Sequence, residues 1–311
     1  MKIGFLYAGQ GAQHPGMGRE FYETEPAFAA VYDRAPVDFD LKSVCLDDPD
    51  GVLNETEYTQ PCMVAFAVGV TKLLKAAGVV PACVAGLSLG EYSALHCAGV
   101  FDDETAISLT AFRGRAMADV SKGVESAMVA VLGLDVAGIT KCCADAADVG
   151  VAEVCNLNCP GQTVIGGEKA AVEKAAELCK AAGAKRCLTL KVSGPFHTSL
   201  LKPAGDALRE KFKSVAFGEM KIPVLFDRLG HEMGENDTIP RLLEEQVSHA
   251  VHMEDIIRRM AALGVDTVVE IGPGKALTGF VRKTCPEIAA HPVETPEDLN
   301  QFLTAWKEAN S

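Results

Sequence analysis

A serine flanked by glycines, between an apolar run and a helical pattern, gives the strongest chemical signal in the sequence. The run Gly86-Leu87-Ser88-Leu89-Gly90 follows the apolar segment Cys83-Val84-Ala85. Glycine on both sides of the serine allows a strand to turn sharply into a helix, which exposes the hydroxyl at the carboxyl end of a sheet. The start of the helix then offers backbone N–H groups to a developing oxyanion. The pattern predicts a nucleophile at Ser88, with an ordinary turn as the alternative.

A nucleophilic serine needs a base, and histidine is the first residue type to consider. The candidates are His14, His96, His197, His231, His249, His252 and His291. His197 lies in the loop Ser193-Gly194-Pro195-Phe196-His197-Thr198, and such a loop can hold a side chain over a cleft. This placement favours His197 and leaves the other histidines open.

A glycine-rich turn, Ala8-Gly9-Gln10-Gly11-Ala12-Gln13, follows the first apolar run of the chain. It lacks the Lys-Ser/Thr of a phosphate-binding loop and the third glycine of a dinucleotide fingerprint, so it is a weak nucleotide signal. Beside a serine turn on a parallel sheet, its backbone and the Gln10 amide could instead supply donors to an oxyanion.

The composition limits the class of protein and of partner. The 311 residues are 48% hydrophobic, and 29 Lys and Arg against 42 Asp and Glu give a net charge of −13. High apolar content predicts a soluble folded protein with a substantial core. The acidic balance argues against nucleic acid, which is bound by dense basic surfaces.

The sequence gives no signal for a membrane segment or a metal site. Apolar stretches around 61–74 and 79–89 are interrupted well short of the roughly 18 residues that a bilayer span needs. Residues 1–7 predict a first strand and not a signal peptide, so we expect a cytoplasmic protein with its eleven cysteines reduced. Cys155 with Cys159, and His249 with His252, lack a matching second pair. We therefore expect no bound metal or cofactor.

Short apolar runs alternate with helical patterns over the first 125 residues, which is typical of an α/β fold. Nearly continuous apolar strands imply a parallel sheet covered on both faces. The pattern predicts strands at 3–7 and 79–85, and helices at 19–34, 60–77, 89–98 and 103–119.

The pattern changes between residues 127 and 192 to strand, helix, strand, strand, helix, strand. This βαββαβ order is ferredoxin-like. Strands resume afterwards at 223–226 and 267–271. We therefore predict a catalytic domain of residues 1–126 and 193–311, with an inserted subdomain of residues 127–192.

The glycine-rich turn, the serine segment and the histidine loop, in this order, resemble the malonyl-CoA:acyl carrier protein transacylase family. Further matches extend the resemblance over nearly the whole chain, at Arg113-Gly114-Arg115-Ala116-Met117, Asn158-Cys159-Pro160-Gly161-Gln162 and Glu270-Ile271-Gly272-Pro273-Gly274. The resemblance implies an α/β-hydrolase-like parallel-sheet core with a ferredoxin-like insertion. This agrees with the α/β class predicted from the elements.

The resemblance also implies how the reacting groups are divided. Ser88 would accept the acyl group, and His197 would act as its general base and then as its acid. Gln10 and the backbone N–H of Leu89 would form the oxyanion hole. Gln246 falls where the family has a glutamine whose backbone carbonyl orients the histidine, although it could be an ordinary exposed residue.

Three further residues would bind the acyl group. Arg113 matches the family arginine that grips the malonyl carboxylate, a planar bidentate pairing that lysine cannot reproduce. Phe196 matches a position that is Phe in malonyl-selective members and smaller in those that take a methyl-branched group, and Met117 would line the pocket. A surface role for Arg113 and a core role for Phe196 and Met117 are the alternatives.

The sequence departs from the family pattern at several positions. Leu87 replaces the usual histidine before the nucleophile, and Ala8 replaces a proline before the glycine-rich turn. The family's Pro-Val-x-Trp stretch is Ala250-Val251-His252-Met253 here, and an Asn-rich segment is Phe226-Asp227. Because Ser88 and His197 remain, we expect activity with a changed rate or acyl selectivity.

The implied function is transfer of a malonyl group from malonyl-CoA to the phosphopantetheine thiol of acyl carrier protein, through a malonyl-serine, for fatty acid or polyketide synthesis. Acyl carrier proteins are typically acidic, so docking would need a local basic patch. Candidates near the histidine loop are Lys185, Arg186, Lys191 and Lys202. A serine thioesterase or esterase of the α/β-hydrolase type, and a non-catalytic carrier-binding homologue, are the alternatives.

Overall fold

A computed structural model describes residues 1–310. The strands in this range are β1 (Ile3–Tyr7), β2 (Cys83–Gly86), β3 (Ser126–Leu132), β4 (Ala152–Cys159), β5 (Gln162–Glu168), β6 (Arg186–Thr189), β7 (Leu225–Phe226), β8 (His231–Glu232), β9 (Thr267–Ile271) and β10 (Ala289–Val293). The helices are α1 (Arg19–Thr24), α2 (Pro26–Asp33), α3 (Leu41–Leu46), α4 (Thr56–Ala76), α5 (Gly90–Cys97), α6 (Asp103–Ser121), α7 (Val136–Asp145), α8 (Lys169–Ala181), α9 (Lys202–Phe212), α10 (Ile239–Gln246), α11 (Met253–Ala262), α12 (Ala276–Thr284) and α13 (Pro296–Ala309).

A parallel sheet has the order β10-β9-β1-β2, and the segments of Gln10 and Ser88 follow the carboxyl ends of β1 and β2. Val224 extends the sheet through an isolated parallel bridge to Val84. Side chains of β1 alternate between two cores: Phe5 and Tyr7 join the larger cluster with α4, and Leu6 joins a second cluster with α11 and α12. Burial on both faces explains why this strand is a continuous apolar run in the sequence.

Helices α4 and α6 lie against each other on one side of the sheet. A Cβ atom at Gly114 would lie 2.7 Å from the Thr56 carbonyl oxygen, so a glycine is needed for this close approach. The approach brings Arg113 of α6 beside Gln60 of α4, and both side chains are buried. The two helices thereby carry polar groups into the floor of the site.

A second, antiparallel sheet has the order β4-β5-β3-β6. Helices α7 and α8 pack on it around Val131, Ile165 and Val172, whereas Met128 and Val164 join the larger core. The element order β3-α7-β4-β5-α8-β6 is ferredoxin-like. The predicted α/β class, with a parallel-sheet core and a separate βαββαβ unit, is confirmed. The domain limits at 127 and 192 stay a prediction.

Several element predictions differ from the structure. Helix α4 begins at Thr56 and not at residue 60, and of the strand expected at 223–226, β7 covers Leu225–Phe226. The helix expected over 19–34 is wrong as a single element, because Glu25 is extended (φ −122°, ψ 95°) before Pro26 and separates α1 from α2. Strand β2 begins at Cys83 and not at residue 79. Within residues 1–310, no helix combines the length and the apolar character that crossing a bilayer requires.

Candidate active site

The serine turn has the strained geometry that its glycines predict. Ser88 has a φ of 51°, in the left-handed region that L-residues rarely adopt. A Cβ at Gly86 would lie 2.0 Å from the Gly90 carbonyl carbon, and a Cβ at Gly90 would lie 2.3 Å from the Tyr7 carbonyl oxygen. Neither position accepts a side chain, because the elbow between β2 and α5 is pressed against the end of β1.

His197 completes a hydrogen-bonded chain with the serine. Its Nε2 lies 2.7 Å from Ser88 Oγ, and its Nδ1 donates to the backbone carbonyl of Gln246 at 2.8 Å. The carbonyl is only an acceptor, so Nδ1 carries the proton and Nε2 presents its lone pair to the serine hydroxyl. His197 also has a positive φ of 62°, and its N–H donates to Val247. The backbone therefore fixes the ring in the orientation of a general base.

Burial keeps this imidazole neutral. Loss of hydration, reinforced by the positive charge of Arg113, lowers the pKa of His197 to about 4. The hydrogen bond to Gln246 opposes the shift. At neutral pH the ring is therefore free to accept the serine proton.

Arg113 lies beside the nucleophile in the interior of the protein. Its Nη2 donates to Ser88 Oγ at 3.1 Å and to Gln246 Oε1 at 2.9 Å, and its Nη1 donates to Gln60 Oε1 at 2.9 Å. The guanidinium lies 5.4 Å from the centroid of the Tyr92 ring, and the side chain is 1% exposed. Neutral amides and an aromatic face hold the cation in place. The carboxyls of Glu91 and Asp227 also act on its charge.

The glycine-rich turn lies against the serine elbow. The Leu87 N–H donates to the Tyr7 carbonyl at 2.9 Å, and a Cβ at Gly9 would lie 2.5 Å from the Leu87 carbonyl oxygen. The Gln10 side chain is engaged elsewhere, since its Nε2 donates to Thr56 at 3.0 Å. Among the described residues, the backbone N–H groups of Gln10 and Leu89 have no protein acceptor. Both N–H groups are therefore available as oxyanion donors.

A cavity of about 600 Å³ opens over Ser88 between the two sheets. Met117 and Phe196 form part of its apolar wall, and Asn156 and Asn158 of β4 contribute amides. Basic, amide and apolar groups converging on one cleft are typical of a ligand site. In the part of the chain that the structure describes, no group of three or more His, Cys, Asp and Glu side chains is arranged to hold a metal ion.

All the predicted site residues meet in this region, with Gln246 linking several of them. Its backbone carbonyl accepts from His197 Nδ1, and its Nε2 donates to the Ser88 carbonyl at 2.8 Å and to Asp227 Oδ2 at 3.0 Å. Sequence reasoning missed the contribution of Gln60 and that of the buried carboxyls Glu91 and Asp227. Gln60 is a polar residue within the apolar pattern of α4, and this was a signal that it has a role in the site. Glu91 comes just after the serine elbow, and this position was a signal for its role.

Comparisons with known proteins identify the family. A family model described as acyl transferase domain matches residues 4–298. The malonyl CoA-acyl carrier protein transacylase of Bacillus subtilis (strain 168) is 37% identical over 312 residues, which cover 99% of this chain and 98% of the relative. The chain belongs to this family of acyltransferases. The resemblance seen in its motifs is confirmed.

Solved structures of transacylases have the same fold. The crystal structure of MCAT from Streptococcus pneumoniae is 42% identical, with a TM-score of 0.93 over 98% of this chain and 100% of that one. A malonyl-transacylase solved in complex with its type II PKS acyl-carrier protein is 34% identical, with a TM-score of 0.94 and the same coverage. The transacylase fold thus extends over 98% of this chain.

Proposed function

We propose that the protein transfers a malonyl group from malonyl-CoA to the phosphopantetheine thiol of acyl carrier protein, through a malonyl ester on Ser88. The observation that supports this most strongly is the position of Ser88 Oγ, between the neutral Nε2 of His197 at 2.7 Å and the buried guanidinium of Arg113 at 3.1 Å. The first group activates the hydroxyl, and the second offers a charge to a carboxylate on the incoming acyl group. Such a transfer would supply fatty acid or polyketide synthesis.

The first half-reaction loads the serine. His197 Nε2 takes the hydroxyl proton while Ser88 Oγ attacks the thioester carbonyl, and the oxyanion accepts hydrogen bonds from the Leu89 and Gln10 N–H groups. Each such donor contributes about 10²–10³ in rate at comparable sites. When the intermediate collapses, the C–S bond breaks and the coenzyme A sulfur takes the proton from His197. The acyl group is then a serine ester.

The second half-reaction reverses these roles. The carrier thiol gives its proton to His197, and its sulfur attacks the ester carbonyl in the same oxyanion hole. The C–O bond to Ser88 breaks, and the serine oxygen recovers the proton. The Gln246 carbonyl holds the imidazole throughout, in place of the carboxylate of a catalytic triad.

Arg113 accounts for selection of a malonyl group. A malonyl carboxylate can form a bidentate pair with the guanidinium, whereas an acetyl group leaves this buried cation with its amide partners alone. Phe196 and Met117 narrow the cavity around the acyl chain. An acyl group with an additional branch would have to displace one of these side chains.

The surface beside the cavity is suited to an acidic partner. Lys185, Arg186, Lys191 and Lys202 are exposed, and Lys191 also lines the cavity mouth. These local cations would attract a carrier protein despite the net charge of −13. Lys191→Glu should therefore slow transfer to the carrier at low salt and leave acyl loading from coenzyme A much less affected. Equal rates of transfer for Lys191→Glu and wild type would exclude this docking surface.

The two alternative functions have less support from the site. A serine hydrolase of the α/β type orients its histidine with a carboxylate, but here Nδ1 of His197 donates to the Gln246 carbonyl. A non-catalytic carrier-binding homologue is suggested by Leu87, yet the contact between Ser88 and His197 is intact. Neither alternative explains a buried guanidinium beside the nucleophile.

The decisive assay compares transfer with hydrolysis. The protein is incubated with malonyl-CoA, with and without holo-acyl carrier protein, and malonyl-carrier and free malonate are both quantified. We expect malonyl-carrier to form much faster than malonate, and to depend on Ser88 when Ser88→Ala is compared with the exposed control Ser108→Ala. Rapid release of malonate without carrier would support the hydrolase instead.

A further inference from the structure

Two carboxyl groups lie beneath the serine elbow and take no part in the reaction described above. Glu91 of α5 is 1% exposed, and Asp227, which follows β7, is fully buried. The Asp227 N–H donates to Glu91 Oε2 at 2.6 Å, and Gln246 Nε2 donates to Asp227 Oδ2 at 3.0 Å. The other oxygen of each carboxyl, Glu91 Oε1 and Asp227 Oδ1, has no hydrogen-bond partner among the described residues.

Such oxygens are costly to bury as charged atoms, so the pair holds at least one proton near neutral pH. Burial raises the pKa of Glu91 well above its usual value, and the charge of Asp227 adds to the effect. Burial also raises the pKa of Asp227 to about 7, against the opposing influence of the Ser88 backbone N–H, Arg113 and Gln246. The pair as a whole therefore loses a proton as pH rises through neutrality.

Arg113 is the positive charge that balances the carboxyl pair, because the other groups around the pair are neutral or paired with one another. The surrounding elements carry several titratable and charged groups, among them Tyr92 on α5, Arg113 on α6, the loop residue His197, Glu245 on α10, and Arg228 and His252 beside β7. Arg113 is the cation whose charge lowers the pKa of both carboxyls. Tyr92 has its pKa raised by burial, and His197 has its pKa lowered, so both are neutral. Arg228 pairs with Glu245 at 3.5 Å, and His252 pairs with Asp255 at 3.2 Å.

The charge balance therefore changes when an acyl group that bears a carboxylate arrives. With one carboxyl of the pair ionised, its negative charge offsets the positive charge of Arg113 inside the protein. A malonyl carboxylate brings a second negative charge to the same guanidinium, which favours protonation of the pair. An acetyl group brings no charge and leaves the pair as it was.

We propose that binding of the malonyl carboxylate at Arg113 causes the Glu91–Asp227 pair to take up a proton from solvent, so that the preference for malonyl over acetyl groups falls as pH rises. The proposal rests on the proposed function, because it requires malonyl loading. No bond to carbon changes in this step, and one proton moves from water to a buried carboxylate. Glu91 and Asp227 are positioning residues that act through Arg113 and Gln246.

The size of the effect follows from linkage. A group that ionises near pH 7 without ligand, and stays protonated with it, weakens binding about tenfold between pH 6 and pH 8. The malonyl carboxylate itself stays ionised over this range. We therefore expect the malonyl-to-acetyl ratio of loading constants to fall about tenfold between these pH values.

The test measures by intact mass how much of the whole protein is acylated at equilibrium at pH 6, 7 and 8. One series uses mixtures of malonyl-CoA and coenzyme A, and the other uses mixtures of acetyl-CoA and coenzyme A. Each series gives one loading constant at each pH. Division of the two constants cancels the ionisation of the coenzyme A thiol and of groups common to both reactions. The Glu91→Gln, Asp227→Asn double variant should show a flat ratio. The exposed control Asp119→Asn, on the same helix as Arg113, should keep the wild-type slope.

A second measurement counts the proton directly, and it remains decisive if the double variant does not fold. Calorimetric titration of Ser88→Ala protein at pH 8, in two buffers of different ionisation enthalpy, should show uptake of about one proton with malonyl-CoA and none with acetyl-CoA. A pH-independent ratio in the wild type, or equal proton counts for the two ligands, overturns the inference. Failure of malonyl-CoA to load the wild type at any pH would instead refute the proposed function.

Discussion

Removal of the Arg113 guanidinium tests how the site selects its acyl group. Arg113→Ala deletes the two nitrogens that point toward Ser88, Gln60 and Gln246. The side chain is 1% exposed, so water and salt screen its charge little. A charged hydrogen bond contributes about 1.5–3 kcal/mol, so a bidentate carboxylate pair contributes about 3–6 kcal/mol. At about 1.4 kcal/mol per factor of ten, malonyl specificity should fall about 10²–10⁴-fold.

The comparison with acetyl-CoA separates this loss from damage to the nucleophile. Arg113→Ala also removes a donor from Ser88 Oγ, which affects the loading of both acyl groups. We therefore measure kcat/KM for loading with malonyl-CoA and acetyl-CoA and compare the ratios. Arg115→Ala is the matched control, because Arg115 lies on the same helix and pairs with Asp38 at the surface. Equal losses for malonyl and acetyl in Arg113→Ala would refute the assigned role.

The remaining predictions concern the base, the pocket and the elbow. His197→Ala should slow loading about 10²–10⁴-fold. In the wild type, the rate of loading from acetyl-CoA should stay constant down to about pH 5 and fall only as pH approaches 4. This is expected because the pKa of His197 is lowered to about 4 and only the neutral ring is a base. A loss centred near pH 6.5 would contradict the burial argument. Phe196→Ala should raise methylmalonyl loading relative to malonyl by at least about tenfold, measured by competition between the two thioesters. Gly86→Ala places a Cβ 2.0 Å from the Gly90 carbonyl carbon. It should lower the free energy of unfolding by about 1–3 kcal/mol, measured by urea titration. The control Gly279→Ala has open space around the new Cβ and should not lower it.

The parts of the site that are local in sequence were the easiest to predict. The elbow at Ser88 is encoded within nine residues, because strand, glycines and helix follow one another directly. His197 lies 109 residues away from it, so spacing alone only favoured it among the histidines, and the family resemblance was needed to assign its role. Gln60, Glu91 and Asp227 come together through packing of α4, α5 and the chain after β7, which periodicity does not reveal.

In the fold, too, the elements with a clear local sequence pattern were predicted and those that depend on tertiary packing were missed. Strands buried on both faces, such as β1 and β9, are continuous apolar runs and were found from the sequence. The edge strand β10 was missed, because it contains Pro292 and pairs only with β9, so its pattern is weak. Helix α3 is short and carries little periodic signal. Chain segments that are held by tertiary contacts therefore account for most of what sequence reasoning left out.

The most direct test of the central claim is the site and identity of the acyl adduct. The protein is exposed to malonyl-CoA, quenched in acid, and analysed by intact mass and then by peptide mapping. We predict one malonyl group per chain, attached to Ser88, absent in Ser88→Ala, and removed when holo-acyl carrier protein is added before the quench. A malonyl group on another residue, or loading that persists in Ser88→Ala, would contradict the account.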